Sequence, residues 1–217
     1  MAKWSDNLKI HQSTEKPPAW KRLSSGQYVD LNNFTEKDVN ITDIEYSLNH
    51  IIRFTGHGKN LRPLTVAQHS LLCCELAKEE EPDNFELQLR ALSHDFAEAY
   101  IGDVATPVKK VMGEAWHQFA RPIEQTVELA LIGSLASEAI RVQVKIYDAI
   151  SLDIERRSIW RDQTGKDKWP KLVSTKTLNE KLDRFRWAAS YEYVPLTELF
   201  FELKEKHDFT LQAKSVG

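Results

Sequence analysis

The sequence predicts an all-α fold on three observations: apolar residues recur at helical spacing, capping residues precede the periodic segments, and strand-like alternation is confined to a short run. These features place helices near 42–53, 65–79, 84–101, 114–132, 137–160 and 175–189, with a last helix that begins at Pro195. Residues 1–40 lack sustained periodicity and are expected to form an irregular arm, in which the run 28–31 favours a small hairpin. The predicted architecture is a helical bundle with an N-terminal arm.

Length and composition indicate one compact domain. A chain of 217 residues that is 41% hydrophobic and 28% charged can bury a single sizeable core. We divide it into the arm (1–40), a core (41–160) and a C-terminal helical extension (161–217) that packs on the same domain.

Charge and hydropathy exclude several classes of protein. The net charge of −3 argues against a surface that coats a nucleic-acid polymer. The chain has no run of 18 apolar residues and its first residues lack the apolar centre of a signal peptide, so we expect a cytoplasmic protein without a membrane span. The adjacent Cys73 and Cys74 have no partner at zinc-binding spacing and are interpreted as reduced packing residues.

The first two predicted helices each begin with a capping box. Thr42 pairs with Glu45 in the first, and Thr65 pairs with Gln68 in the second. The apolar stripe of the second helix includes His69. A histidine on such a stripe is usually a hydrogen-bonded core residue, so His69 becomes a candidate ligand only if other ligands face it.

The segment 84–101 carries the most informative pair, His94 and Asp95. Asn84 suits the N-cap, and two rows at helical spacing follow it: Phe85, Leu89, Leu92 and Phe96, and beside them Leu87, Ala91, His94 and Glu98. His94 and Glu98 therefore share one face, and Asp95 lies about 100° around the helix from His94. An imidazole next to a carboxylate suits a divalent transition metal.

The long helix 137–160 offers a further ligand, Asp148. This residue lies four positions after Val144, on the side of the helix whose apolar residues are Ile140, Val144, Tyr147 and Ile154. A buried carboxylate is costly unless it is paired or bound to a metal. A salt bridge to Lys145 or to a more distant Arg is the alternative interpretation, and both remain open at this stage.

Two segments offer groups that could bind phosphate. Arg53, at the end of the first predicted helix, has a planar fork suited to phosphate oxygens, although a helix-terminal Arg also complements the macrodipole. Residues 102–109 leave the third helix through Gly102 and return toward the cleft with Asp103, Thr106 and Lys109.

The order His69, His94-Asp95, Asp148 resembles the HD-domain metal-dependent phosphohydrolases. More narrowly, 94–98 (HDFAE), 102–103 (GD) and 106–109 (TPVK) resemble the YfbR-like 5′-deoxynucleotidases. The segments 53–57 and 66–70 are similar to phage-encoded members of that branch, which include dATP triphosphohydrolases. The resemblance covers roughly residues 25–160; it departs at Phe54, where many members have Trp, and in the inserted loop 56–63.

The resemblance implies a role for each matching residue. The implied metal ligands are His69, His94, Asp95 and Asp148, the implied catalytic carboxylates are Glu98 and Asp103, and the substrate-binding candidates are Arg53, Phe54, His57, Thr106 and Lys109. Mixed nitrogen and oxygen ligands favour Co, Mn, Zn, Ni or Fe, and Mg is compatible. The implied reaction is the attack of a metal-activated water on phosphorus.

The expected substrate is a 2′-deoxynucleotide, as a monophosphate or as a triphosphate. Four cations keep the triphosphate open, because they exceed what one phosphate requires: Lys59, Arg62, Lys109 and Lys110. From the sequence we expect neither a nucleic-acid polymer nor a membrane as a partner. It does not decide between a monomer and a homo-oligomer.

Two other functions are compatible with the same residues. One is a non-catalytic nucleotide sensor that keeps the metal, against which the presence of both Glu98 and Asp103 speaks. The other is a di-metal oxygenase, which needs further ligands; the spare histidines His50, His57 and His117 do not have convincing spacing for it.

Overall fold

The computed structural model describes residues 19–58, 62–160 and 172–216. These residues form an all-α bundle with a small two-stranded sheet, as the sequence predicts. The helices are α1 (Ile41–His50), α2 (Val66–Glu80), α3 (Phe85–Ser93), α4 (Glu98–Ile101), α5 (Thr106–Met112), α6 (Glu114–Ile132), α7 (Glu138–Trp160), α8 (Thr175–Ser190) and α9 (Leu196–Val216).

The predicted hairpin is confirmed in the part of the arm that the structure describes. Strand β1 (Trp20–Arg22) pairs antiparallel with β2 (Tyr28–Asp30). The hairpin is fixed to the bundle, because Lys21 Nζ donates to the backbone oxygens of Ala99 (2.7 Å) and Tyr100 (3.0 Å). Residues 1–18 of the predicted arm lie outside the described residues.

Helix α1 begins and ends earlier than the sequence predicts. Its N-cap is Asn40, whose side-chain oxygen accepts from the backbone N–H of Thr42 at 2.9 Å, so the capping box assigned to Thr42 and Glu45 is wrong. The helix ends at His50 rather than at Arg53. The backbone after it is extended instead, because Arg53 N–H donates to Leu64 O (2.9 Å) in a pairing that helical periodicity cannot reveal.

The capping box of α2 is confirmed, but the predicted continuous helix 84–101 is wrong. Asn84 caps α3 as expected, and α3 then stops at Ser93. Residues 94–97 form tight turns in which backbone N–H groups donate three residues back, as Glu98 does to Asp95 (2.9 Å). The side chain of His94 takes part in this break, because its Nδ1 lies 2.8 Å from Ala91 O.

Residues 106–109 of the segment 102–109, which we interpret from the sequence as a loop, belong instead to helix α5. Pro107 lies in its first turn, where the missing N–H costs nothing, and this signal was available in the sequence. The later helices α6 to α9 begin and end within two residues of the predicted bounds wherever a bound was predicted.

The core is shared by the central helices and the C-terminal ones. Phe96, Ile154 and Phe200 are fully buried within one apolar cluster. Asn49 on α1 exchanges two hydrogen bonds with the backbone of Val194, which precedes α9, at 2.7 and 3.0 Å. Among the described helices, none combines the length and apolar composition that a membrane span requires.

Candidate metal centre and active site

Four side chains from three parts of the chain converge at one point. His69 Nε2 on α2 lies 3.3 Å from His94 Nε2, 3.6 Å from Asp95 Oδ2 and 3.2 Å from Asp148 Oδ1 on α7. His94 Nε2 lies 3.3 Å from Asp95 Oδ2. Ligands about 2.1 Å from one cation are separated by about 3.0 Å at octahedral and about 3.4 Å at tetrahedral angles. The donor set and its spacing therefore fit a single divalent metal ion.

The two imidazoles are oriented as metal ligands are. His69 Nδ1 lies 2.7 Å from Glu155 Oε1, and His94 Nδ1 lies 2.8 Å from Ala91 O. When each Nδ1–H donates to its oxygen, Nε2 is the nitrogen that faces the centre, where a metal ion would take the place of its proton. Such hydrogen bonds from the outer nitrogen are typical of metal-binding histidines.

The electrostatics of the cluster also favour a cation. Burial lowers the pKa of His94, but the carboxylates of Asp95 and Asp148 and the nearby Cys73 outweigh burial and raise that pKa to about 10. Burial raises the pKa of Asp95, and the neighbouring His94, His69 and Arg53 hold it well below its usual range. The two carboxylates thus create a negative potential at the point where the imidazole nitrogens meet.

Cys73 lies beside this cluster, although the sequence assigned it only to packing. The ligand atoms of His69, Cys73 and His94 lie within 4.8 Å of one another. Cys73 Sγ is 3.6 Å from His69 Nε2 and 4.0 Å from His69 Nδ1, so the sulfur lies alongside the ring rather than in line with the Nε2 lone pair. Its thiol donates to Ser151 Oγ at 3.2 Å. The carboxylates of Asp95 and Asp148 are therefore better placed than Cys73 to complete the site.

Glu98 is a buried carboxylate with few partners. Lys109 Nζ lies 3.6 Å from its Oε1, and its Oε2 has no hydrogen-bond partner among the described residues. Burial is the largest cause that raises the pKa of Glu98 to about 9, and the neighbouring Asp95 and Asp103 add to it. Burial also raises the pKa of Asp103, which Arg53 opposes. Both predicted catalytic carboxylates thus lie within electrostatic range of Asp95.

Arg53 is buried behind the cluster. It opens a 3₁₀ turn, Arg53–Gly56, so it does not cap α1 and the macrodipole interpretation no longer applies. Its Nε donates to Glu155 Oε2 at 3.0 Å, and its Nη1 lies 3.8 Å from Asp95 Oδ2. Phe54 and Thr55, the next two residues, both have a φ of 56°, a strained backbone conformation for side chains other than glycine.

Phe54 and His57 line a small cavity of about 40 Å³ beside Arg53. Arg62, which is exposed and pairs with Glu192 at 2.7 Å, also lines it. Lys59 lies outside the described residues. Of the two cations in the loop 56–63, Lys59 and Arg62, the structure thus describes only Arg62, whose charge is already paired.

A much larger cavity of about 600 Å³ lies between α6 and α7 and reaches the metal-ligand candidates His94 and Asp148. Of the predicted substrate-binding residues, Lys109 lines it. Further cations that were not predicted as substrate contacts also line it: Arg121, Arg141, Lys145 and Arg90, the last of which is paired with Glu128. Arg141 and Lys145 precede Asp148 at spacings of seven and three residues, and this helical periodicity was a readable signal. We call this cavity the α6–α7 groove.

Glu155 is the other residue that sequence reasoning missed. It is completely buried on α7, and its two oxygens contact His69 and Arg53. Its position seven residues after Asp148 places both on one face of α7, which could have indicated it. The spare histidines do not form a second site among the described residues: His50, for example, stacks on Tyr46 at the surface.

An all-α bundle in which an adjacent His-Asp pair meets a His and an Asp from two other helices defines the HD-domain superfamily, whose members bind a divalent metal. The family model described as 5′-deoxynucleotidase YfbR-like matches residues 46–155, and the chain belongs to this hydrolase family.

Two relatives extend the similarity beyond the matched core. An uncharacterized protein of Rhodobacter capsulatus is 32% identical over 143 residues, which are 65% of this chain and 73% of that protein. The uncharacterized protein YfdR of Escherichia coli K12 is 28% identical over 182 residues, 83% of this chain and 93% of its own length. The second alignment is longer than the family match and therefore includes residues outside 46–155.

Proposed function

We propose that this protein hydrolyses the phosphoester bond of 2′-deoxynucleotides with the help of one divalent metal ion. The observation that carries the proposal is the convergence of His69 Nε2, His94 Nε2, Asp95 Oδ2 and Asp148 Oδ1 within 3.2–3.6 Å of their neighbours. The family match supports the reaction class and a deoxynucleotide as the substrate.

These four residues would hold the metal. The mixture of imidazole and carboxylate favours Mn, Fe, Co, Ni or Zn, with Mg compatible. When bound, such an ion lowers the pKa of a coordinated water and polarises a phosphoryl oxygen.

The remaining polar residues would handle the proton and the substrate charge. We assign to Glu98 the acceptance of the water proton, because it is buried and has an oxygen with no partner. The positive charge of a bound metal ion would lower the raised pKa of Glu98, so that the side chain is ionised and can accept the proton. Asp103 is the alternative base. Lys109, 3.6 Å from Glu98, and Arg53, 3.8 Å from Asp95, would offset negative charge on the transferring group.

The α6–α7 groove is the place we propose for the nucleotide. Its volume of about 600 Å³ falls within the range of small-molecule sites, whereas the cavity of about 40 Å³ beside Phe54 and His57 would hold only a few water molecules. We therefore propose that Phe54 and His57 support Arg53, and that Lys109 contacts the substrate.

A triphosphate remains a proposal alongside a monophosphate. The cations that would bind extra phosphates are Arg121, Arg141 and Lys145, which line the groove. Arg62 lies outside the groove and is paired with Glu192. None of the three has an ion-pair partner within 4 Å among the described residues, so their charges are available.

The test is a matrix of substrates and metals. Phosphate and triphosphate release would be measured for dNMPs, dNTPs and their ribonucleotide counterparts with Mn²⁺, Co²⁺ or Mg²⁺. We expect turnover that depends on the metal and prefers the 2′-deoxy form. Metal-dependent binding without any turnover would instead favour the nucleotide sensor, and equal use of ribo and deoxy forms would remove the deoxynucleotide assignment.

A further inference from the structure

Glu155 connects the two halves of the candidate site. Its Oε1 lies 2.7 Å from His69 Nδ1, and its Oε2 accepts from Arg53 Nε at 3.0 Å. The side chain has no exposed surface, so water cannot replace either contact. A carboxylate buried this completely is costly unless it is paired, and here both oxygens are used.

The contact between Glu155 and His69 determines which nitrogen of His69, a candidate metal ligand, faces the metal. An imidazole can carry its proton on either nitrogen, and a carboxylate beside Nδ1 holds the proton there. Nε2 then keeps its lone pair, which faces His94, Asp95 and Asp148. A carboxylate in this position also raises the basicity of the ligand nitrogen.

The hydrogen bond between Glu155 and Arg53 determines the orientation of Arg53, which is a candidate for binding phosphate. With Nε committed to Glu155, the terminal guanidinium nitrogens remain, and Nη1 lies 3.8 Å from Asp95 Oδ2. The strained backbone at Phe54 and Thr55 indicates that the turn carrying Arg53 is held by its surroundings. Phe54 contributes to that hold, because its ring contacts Trp160 with the centroids 4.9 Å apart.

We propose that Glu155 is a positioning residue that aligns both His69 toward the metal and Arg53 toward the phosphoryl group. This inference rests on the proposed metal centre and adds a residue that supports it. It requires that removal of the carboxylate weakens metal binding in the absence of substrate, and that it weakens phosphate binding even when metal is saturating.

The test compares Glu155→Gln with Asp153→Asn, a matched variant on the same helix. Asp153 is also buried and pairs with Arg156 at 2.6 Å, but its other contacts are Arg157, at 3.5 Å, and the backbone N–H groups of Leu172 and Val173. Both changes remove one buried charge from α7. A purely structural effect would therefore appear in both proteins.

Affinities for Mn²⁺ and Co²⁺ would be measured by competition with a chelator, and the visible spectrum of the Co²⁺ protein would be recorded. We expect Glu155→Gln to bind metal about 10–100-fold more weakly and to show an altered Co²⁺ spectrum. Asp153→Asn should stay within about twofold of wild type, with an unchanged spectrum. If Glu155→Gln is insoluble, Glu155→Asp replaces it, since the shorter carboxylate keeps the charge but cannot reach both partners.

Phosphate binding tests the second half of the inference. With metal saturating, inorganic phosphate should bind more weakly to Glu155→Gln and to Arg53→Lys, whereas Arg53→Lys should keep metal affinity within about twofold. Wild-type metal affinity in the Glu155 variants, or an equal loss in Asp153→Asn, would overturn the inference. Unchanged phosphate affinity in both Glu155→Gln and Arg53→Lys would overturn the proposal that Glu155 orients Arg53 toward the phosphoryl group. If the wild type binds neither metal, the proposed metal centre fails and the role of Glu155 fails with it.

Discussion

The two sides of the candidate metal centre are built differently. On the α2 and α7 side, His69, Glu155 and Arg53 are buried and contact one another through paired polar atoms. On the α5 and α6 side, Lys109 and Arg121 line an open groove, and α5 has no buried residue. The buried side can fix ligands in place, while the open side can admit and release a substrate. This contrast separates positioning from recognition.

The largest effect should come from a change at the centre itself, where the two sides meet. Asp95→Ala removes an oxygen that lies 3.3 Å from His94 Nε2 and 3.6 Å from His69 Nε2. We expect the variant to carry less than stoichiometric metal and deoxynucleotide hydrolysis to fall to background, because the change removes one of four candidate ligands together with its negative charge. Metal analysis of the purified variant checks this, and full occupancy would contradict the assignment.

Glu98→Gln separates chemistry from metal binding. The change keeps the size of the side chain but removes its ability to accept a proton. We expect kcat to fall by about 10²–10⁴-fold while the metal content stays that of the wild type. Paired measurements of kcat and metal stoichiometry check both statements. If kcat changes by less than about threefold, Glu98 is structural and Asp103 becomes the candidate base.

A smaller effect should come from the open side. Ala136 lines the α6–α7 groove, and a tryptophan there would occupy space that we assign to the nucleotide. Ala136→Trp should raise KM about 10-fold or more, equivalent to about 1.4 kcal/mol, with metal affinity unchanged. Leu135→Trp is the matched control, since Leu135 is adjacent but exposed outside the groove. Equal KM values in the two variants would place the substrate elsewhere.

The smallest effect on activity is expected far from both sides, where the hairpin meets α1. Burial raises the pKa of Asp43, but hydrogen bonds from Ser24 and Ser25 outweigh burial and hold it below the usual value. A depressed pKa stabilises the fold above the unfolded-state pKa, and that contribution is lost as the pH falls through the folded-state pKa. Asp43→Asn should therefore cost about 2 kcal/mol near neutral pH and flatten the acid limb of the stability curve.

Chemical denaturation at pH 7 and at pH values below 4 measures that change. Near pH 7, kcat/KM of folded Asp43→Asn should equal that of the wild type. A variant with unchanged stability at neutral pH would contradict the account of Asp43.

Local signals were the predictable part of this fold. The capping box of Thr65 and Gln68 and the N-cap Asn84 depend on neighbours within three residues, so the sequence reveals them directly. His69 and Asp148 were similarly readable from helical spacing, whereas His94 and Asp95 lie in the turns after α3 and were selected as an adjacent imidazole and carboxylate that suit a transition metal. The structure brings these four together as expected.

Interactions between distant residues were the unpredictable part. Glu155 contacts His69 across 86 residues and Arg53 across 102, and no local pattern encodes either pairing. The end of α1 depends on a backbone hydrogen bond from Arg53 N–H to Leu64 O. The end of α3 after Ser93 involves the side chain of His94. The α6–α7 groove was not predicted for the same reason, since its walls come from helices that meet only in the folded chain.

The central claim is that one metal ion lies where His69, His94, Asp95 and Asp148 meet. The most direct measurement is the anomalous diffraction of crystals soaked in Mn²⁺ or Co²⁺. We predict one strong peak per chain about 2.0–2.3 Å from His69 Nε2, His94 Nε2, Asp95 Oδ2 and Asp148 Oδ1. The absence of a peak at full soaking, or a peak bonded to Cys73 Sγ without either carboxylate, would contradict the claim.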